Sequence, residues 1–204
     1  MALAEDIARS MPSIRAAFEG FKEMMRDGRM KAAEAALFGN ARLWGEELKE
    51  IYAAEGREDL GRRDPLTRFF VCRYRGMPEP ADLADAPPEA AFLIAFTAFP
   101  YLDALVDEMG VGEHVGFDED GNWIVRRVLA GEDDGSLFKA AKAPMGWRFD
   151  LMPVYHAKAA ALAAFIDNEF AGDFDAFLWR YVADHDLAFD LDQAWRPLAV
   201  ATGA

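Results

Sequence analysis

Cysteine is almost missing from this chain: Cys72 is the single one in 204 residues. One thiol closes no intramolecular disulfide and assembles no thiolate zinc site, so a disulfide framework is excluded and nothing points to an oxidising compartment. Positive charge is scarce as well. The chain has 22 Lys and Arg against 36 Asp and Glu, a formal net charge of −14 and a pI near 4.6. Without a Lys/Arg stripe such a surface is repelled by phosphate backbones, and nucleic acid is not an expected partner. Long apolar runs are absent too. The most apolar stretch, residues 90–102 (AAFLIAFTAFPYL), is interrupted by Pro100 and falls short of the ~20 residues that cross a bilayer, so no membrane partner is expected and the stretch reads as a buried helix. The opening MALAEDIARSMPS carries Glu5 and Asp6 where a secretory leader carries Lys or Arg, which makes the cytoplasm the expected location. The three His have no HxxxH or HExxH spacing, and no glycine-rich phosphate loop or GxSxG elbow occurs. No metal and no cofactor are expected.

What is present is a globular composition, 52% hydrophobic beside 28% charged residues, and a length that fits one domain over residues 1–204. Its first hundred residues read as helices. Ile14, Phe18, Phe21 and Met25 recur on one face of a 3.6-residue period, with Pro12 in a first turn and Asp27-Gly28 as the break. A second helix is expected over 30–38, ended by Gly39-Asn40, and a third from Ala41 with Leu43, Trp44, Leu48, Ile51 and Tyr52 on its apolar side. Asp64-Pro65 is a strong start signal, an N-cap acceptor followed by proline at the first helical position. The proline-rich segment 76–88 reads as a loop, and the apolar helix 89–99 follows it.

After Pro100 the texture changes to short runs between Gly and Asp turns. An antiparallel sheet is expected within 103–151, with strands at 111–117, 122–130, 137–143 and 147–151 joined by connections too short for anything but antiparallel neighbours. Helices return over 152–198, where Phe174, Phe177, Leu178, Tyr181 and Val182 fit the helical period. Trp195 and the residues after it read as a staple for the tail. The fold class is therefore α+β, with N-terminal helices packed on a four-strand meander and C-terminal helices after it.

The stretch FKEMMRDGRMKAAEAALFGNARLWGEELKEIY resembles the opening of the nuclear transport factor 2-like (NTF2-like, SnoaL-like) superfamily, and the strand ending GWRFDL resembles that superfamily's last strand. The resemblance implies a curved sheet wrapped into a cone, often in a homodimer. Because the superfamily holds isomerases, dehydratases, hydrolases and binding domains alike, it implies a shape and no particular reaction.

A three-residue loop at Glu119-Asp120-Gly121 sets Asp118 opposite Asn122 and pairs Phe117 with Trp123, Val115 with Val125, Glu113 with Arg127 and Val111 with Leu129. Continued across the sheet, this register puts Leu137, Lys139, Ala141 and Ala143 on the same face, together with Trp147 and Phe149. Such a face, apolar with a few polar groups, suits a small ligand, and the expected ligand-binding residues are Glu113, Trp123, Arg127, Lys139, Trp147 and Phe149. Glu113 and Arg127 are also the catalytic candidates, Glu113 as acid or base and Arg127 holding it or stabilising developing negative charge. A plain cross-strand ion pair is the structural alternative. The opposite face, with Ile124, Val128 and Phe138 among His114, Arg126, Lys142, Arg148 and Asp150, suits pairing with a second copy. Three readings of function follow: a binder of a small, partly apolar molecule, an enzyme using Glu113 with Arg127, and a protein-interaction module. Cys72, beside Phe70 and Val71, reads as a buried, inert thiol.

Overall fold

A computed structural model of the chain describes residues 2–78, 86–97 and 108–198. Most of the expected loop at 76–88, the end of the apolar helix and the first residues of the expected sheet region lie outside them. The α+β layout is the one expected: six helices precede a four-stranded antiparallel sheet of order β1-β2-β3-β4 among the described residues, and helices follow it. The chain divides into two compact units, Met1–Arg42 with Tyr101–Tyr155 and Leu43–Pro100 with His156–Ala204.

The first unit is a long helix on a sheet. Helix α1 (Ala2–Arg26) buries Ile14, Phe18 and Phe21 completely, the face its period dictates. It begins earlier than expected, so Pro12 lies inside it on an exposed face, where the missing N–H leaves a carbonyl to solvent. Gly28, at φ 67, ends the helix region. Helix α2 (Met30–Ala35) is shorter than the expected 30–38, because the next residues join the sheet. Phe38 N–H donates to the Phe149 carbonyl at 3.1 Å and Phe149 N–H to the Ala36 carbonyl at 2.7 Å, a parallel bridge centred on Leu37.

The strands are β1 (Met109–Phe117), β2 (Trp123–Leu129), β3 (Glu132–Ala143) and β4 (Gly146–Asp150). Phe117 pairs with Trp123 as expected, across a turn in which Gly121 takes φ 79. Two irregularities in β1 then shift the register, so that His114 pairs with Val125, Val111 with Arg127 and Met109 with Leu129. The expected Val115–Val125 and Glu113–Arg127 pairs do not form. The next hairpin turns earlier than expected, on Ala130 (φ 50) and Gly131 (φ 87), the left-handed pair of a two-residue turn. A two-residue loop in place of five changes the count by an odd number, and Phe138 and Ala140, not Leu137 and Lys139, share a face with Val125 and Trp123. The last turn is also one residue shorter than expected, with Ala143 opposite Gly146. The second odd error cancels the first and returns Trp147 and Phe149 to the expected face.

That face meets α1. Phe18 lies 5.3 Å from Phe138 and 5.0 Å from Phe149 between ring centroids, the latter edge-on, and Phe138 lies 6.2 Å from Phe149. The helix also holds the edge strand. Arg15 donates to the Val111 and Gly112 carbonyls at 3.1 Å each, and buried Lys22 donates to the Met109 carbonyl at 2.8 Å. Side-chain donors thus engage carbonyls of β1, whose outer edge no strand covers among the described residues.

In the second unit, helix α3 (Ala41–Ala54) buries Leu48, Ile51 and Tyr52 as its period requires, while Leu43 is 62% exposed, against expectation. Gly45 lets α6 (Pro88–Thr97) begin against it, since a Cβ there would come within 1.9 Å of the Pro88 carbonyl oxygen. Helix α4 (Arg57–Leu60) is a short turn. Helix α5 (Pro65–Gly76) starts where Asp64 accepts the Leu66 and Thr67 N–H groups at 3.0 Å, the expected cap. Near the end of α5, the fully buried Arg75 donates to the Ile51, Tyr52 and Glu55 carbonyls at 2.7–2.9 Å, capping the C-terminus of α3 with a cation. Helices α7 (Met152–Phe170), α8 (Phe174–Asp184) and α9 (Leu191–Ala194) follow the sheet among the described residues. All five expected apolar residues of α8 are buried. Trp195 staples the tail as expected: its Nε1 donates to Asp175 at 2.9 Å, and Arg57 lies 4.6 Å above its ring.

Replacing Arg75 with Met removes the donors of three carbonyls and is expected to cost about 3 kcal/mol or more, read as a lowered urea midpoint. A change below about 1 kcal/mol would show that water replaces the guanidinium. Phe18→Ala, which opens a cavity in the first unit, is expected to cost about 3–5 kcal/mol by the same measurement.

Candidate functional site

The six residues expected to bind a ligand separate into five environments in the first unit. Phe149 is fully buried and Trp123 is 7% exposed; both belong to the apolar layer beneath α1. Trp123 touches His114, Phe117 and Trp147, at 4.8, 5.1 and 5.7 Å between ring centroids. This layer is packed with aromatic side chains where a cone would hold its ligand.

Lys139 lies on the other face of the sheet, opposite Ile124, and forms an ion pair of 2.8 Å with Asp118. Asp118 is the organising residue of the β1–β2 turn. One carboxylate oxygen accepts the Asp120 and Asn122 N–H groups at 3.0 and 2.8 Å, and the other accepts the Asn122 amide at 3.1 Å. The Lys139 hydrogen bond, helped by those from Asn122, holds the Asp118 carboxyl well below the usual carboxylate range; the Asp118 hydrogen bond in turn raises the Lys139 ammonium.

Glu113 is exposed on the irregular part of β1 and lines a groove of about 320 Å³ with Gly112, Arg126, Val128, Gly131 and Asp133. Arg126 in that groove is paired with Asp133 at 3.1 Å. Arg127 points away from the groove's ion pair, is 2% exposed and is paired with Asp134. The bulge of β3 makes that pairing possible: Arg126 pairs with Leu137 and Val128 with Asp133, so Arg127 alone faces residues 134–136. Burial pushes the Arg127 guanidinium below its usual value. Glu113 and Arg127 are therefore not brought together.

Trp147 opens onto a second groove, of about 200 Å³, between α1 and the β3–β4 hairpin. Its indole Nε1 donates to Ser13 Oγ at 2.9 Å. Lys142, the cross-strand partner of Trp147, lines the same groove with Asp6, Arg9, Ser10 and Ser13. Arg9 is paired with Asp6 at 3.1 Å, whereas Lys142 has no ion pair among the described residues. The lining thus carries one surplus positive charge in a chain of −14. Two hydroxyls, an indole and an available ammonium form a site that can hydrogen-bond a hydroxylated molecule and neutralise an anionic group.

The α1 contribution was not anticipated from sequence, although its signal is there. Asp6, Ser10 and Ser13 recur at spacings of four and three, a polar stripe beside the apolar one of Ile14, Phe18 and Phe21. The register expected from sequence puts Lys142 on the opposite face, whereas the earlier β2–β3 turn brings it beside Trp147. Phe138, placed with it, is fully buried beneath α1. Among the described residues no group of three His, Cys, Asp or Glu is positioned to hold a metal ion. Comparison with known protein families, with curated proteins and with solved structures finds no match for the chain.

Asp118 gives a pH dependence of known sign. Its pKa is depressed in the folded chain, so its stabilisation is present above the ordinary carboxylate value of about 3.9 and is lost as pH falls toward the folded pKa. Asp118→Asn is expected to lower the melting temperature at neutral pH, and the gap to the wild type to close progressively below about pH 4. A gap independent of pH would assign the effect to the turn's hydrogen bonds alone. Cys72 is buried and its thiol is pushed up to about 12, chiefly by burial, so it is expected to resist a thiol reagent at neutral pH until the chain is unfolded.

Proposed function

We propose that the chain is a small-ligand-binding protein whose first unit is an NTF2-like domain, and that its ligand sits in the rim groove at Trp147 and Lys142. Support for the domain type is the order of its parts: a long helix across a four-strand meander, with Leu37 bridging in parallel to the last strand. The observation that carries the ligand reading is Lys142, without an ion pair among the described residues, beside an indole fixed by Ser13 and lining a groove of about 200 Å³. Sites for drug-sized ligands run from about 300 Å³ upward, so the groove fits a smaller molecule. Its polar lining favours hydroxyl groups, the indole a ring face, and the ammonium an anion. The ligand class is a small hydroxylated anion, either a sugar acid or a sugar phosphate.

The test is a tryptophan-fluorescence titration with glucuronate, glucose 6-phosphate and glucose. Saturable quenching by one of the two anions and none by neutral glucose is the expected result. Trp147→Phe is expected to remove the signal, and Lys142→Gln to weaken the anion about tenfold, the equivalent of about 1.4 kcal/mol. No saturable change with either anion, or wild-type affinity in Lys142→Gln, overturns the reading.

A further inference from the structure

A different feature of the first unit carries a second site. Arg127, in the inner strand β2, is 2% exposed. Its guanidinium is paired with Asp134, but Nε and Nη1 are buried and have no hydrogen-bond partner among the described residues. One N–H on Nε and two on Nη1 are therefore desolvated without an acceptor. Buried polar groups in folded proteins are rarely left so, and the cost is larger on a charged group. A guanidinium presents its donors in a rigid planar fork that matches the oxygens of carboxylates and phosphates. What Arg127 lacks is oxygen acceptors, and one neighbouring carboxylate does not supply them.

We infer that Arg127 is the core of a buried oxyanion site, independent of the groove at Trp147, which takes a single carboxylate or phosphate group. The entrance is the bulge of β3. Asp134 lies there with its side chain 23% exposed, and Glu132, Asp133, Asp134 and Gly135 are exposed in turn. Gly135 takes φ 78, and the backbone N–H groups of Gly135 and Ser136 are held by the Asp133 and Asp134 side chains at 2.9 and 3.1 Å. Asp134 is thus a resident counter-ion on the solvent side of Arg127. An incoming oxyanion supplies acceptors to Nε and Nη1 and competes with Asp134 for the same charge. The site exchanges one anion for another and needs no change in protonation.

Calorimetric titration with inorganic phosphate and with acetate, in a buffer containing neither, tests this directly. One saturable site per chain is expected for the wild type with at least one of the two probes, and the stronger probe identifies the group. Arg127→Met is expected to abolish binding, and Arg127→Lys to weaken it at least tenfold, since an ammonium lacks the fork. Asp134→Asn is expected to tighten binding by several fold, because it removes the competing charge; a merely structural Arg127–Asp134 pair predicts no such gain. Lys142→Gln is expected to bind as the wild type does, which separates this site from the groove. If Arg127→Met does not fold, the lysine and Asp134→Asn variants decide. Absence of saturable binding to the wild type, meaning that water satisfies the nitrogens, overturns the inference. So does undiminished binding in Arg127→Lys, or weaker binding in Asp134→Asn.

Discussion

The contact of Phe18 with Phe138 and Phe149 organises the first unit. One ring from α1 meets two from the neighbouring strands β3 and β4 at 5.3 and 5.0 Å, and burial of such rings is among the largest single contributions available to a core. With that face occupied, the sheet has no apolar interior left to offer a ligand. Polar chemistry is displaced to the margins of the contact, to the rim where α1 passes Trp147 and to the end where Arg127 faces the β3 bulge. Arg15 and Lys22, on the same helix, complete the arrangement by holding the β1 carbonyls.

The element order could be read from the sequence because it depends on local signals. The Asp64-Pro65 start, the α8 period and the Asp118–Asn122 turn each lie within a few residues, and each appears where its chemistry places it. Facing was harder, because a strand's face inverts with every odd change in loop length. Glycine in GEDDG suggested a five-residue turn, but the chain turns on Ala130 and Gly131, with an alanine in a conformation that disfavours it. The bulges in β1 had no readable signal beyond its glycines, and they separate Glu113 from Arg127. Trp147 and Phe149 keep the expected face because two turns each differ from the expected length by an odd number and the changes cancel. The polar stripe of α1 was legible in principle; its meaning depended on which strand it would meet.

Net charge gave an incomplete picture for a related reason. In sequence, the cations Arg126, Arg127, Lys139, Lys142 and Arg148 cluster in the sheet of a chain whose net charge is −14. Arg126, Arg127 and Lys139 each carry a nearby acid, Asp133, Asp134 and Asp118 respectively. These acids come from the turns and from the start of β3, so the apparent segregation of charge in sequence becomes local neutralisation in space. Lys142 and Arg148 differ from these three in having no ion pair among the described residues, and a composition count has no means of distinguishing them.

The alternation of the two units along the chain bears on how the protein emerges from a ribosome. Residues 1–42 belong with 101–155, and 43–100 with 156–204, so neither unit is complete when its first stretch has been made. At roughly 5–20 residues per second, α1 leaves the exit tunnel with Ile14, Phe18 and Phe21 uncovered several seconds before the strands that bury them exist. The second unit waits longer still, since Gln193 hydrogen-bonds to the Arg75 carbonyl 118 positions earlier. Folding of a chain with this pattern is governed by long-range closure that local helix formation cannot replace.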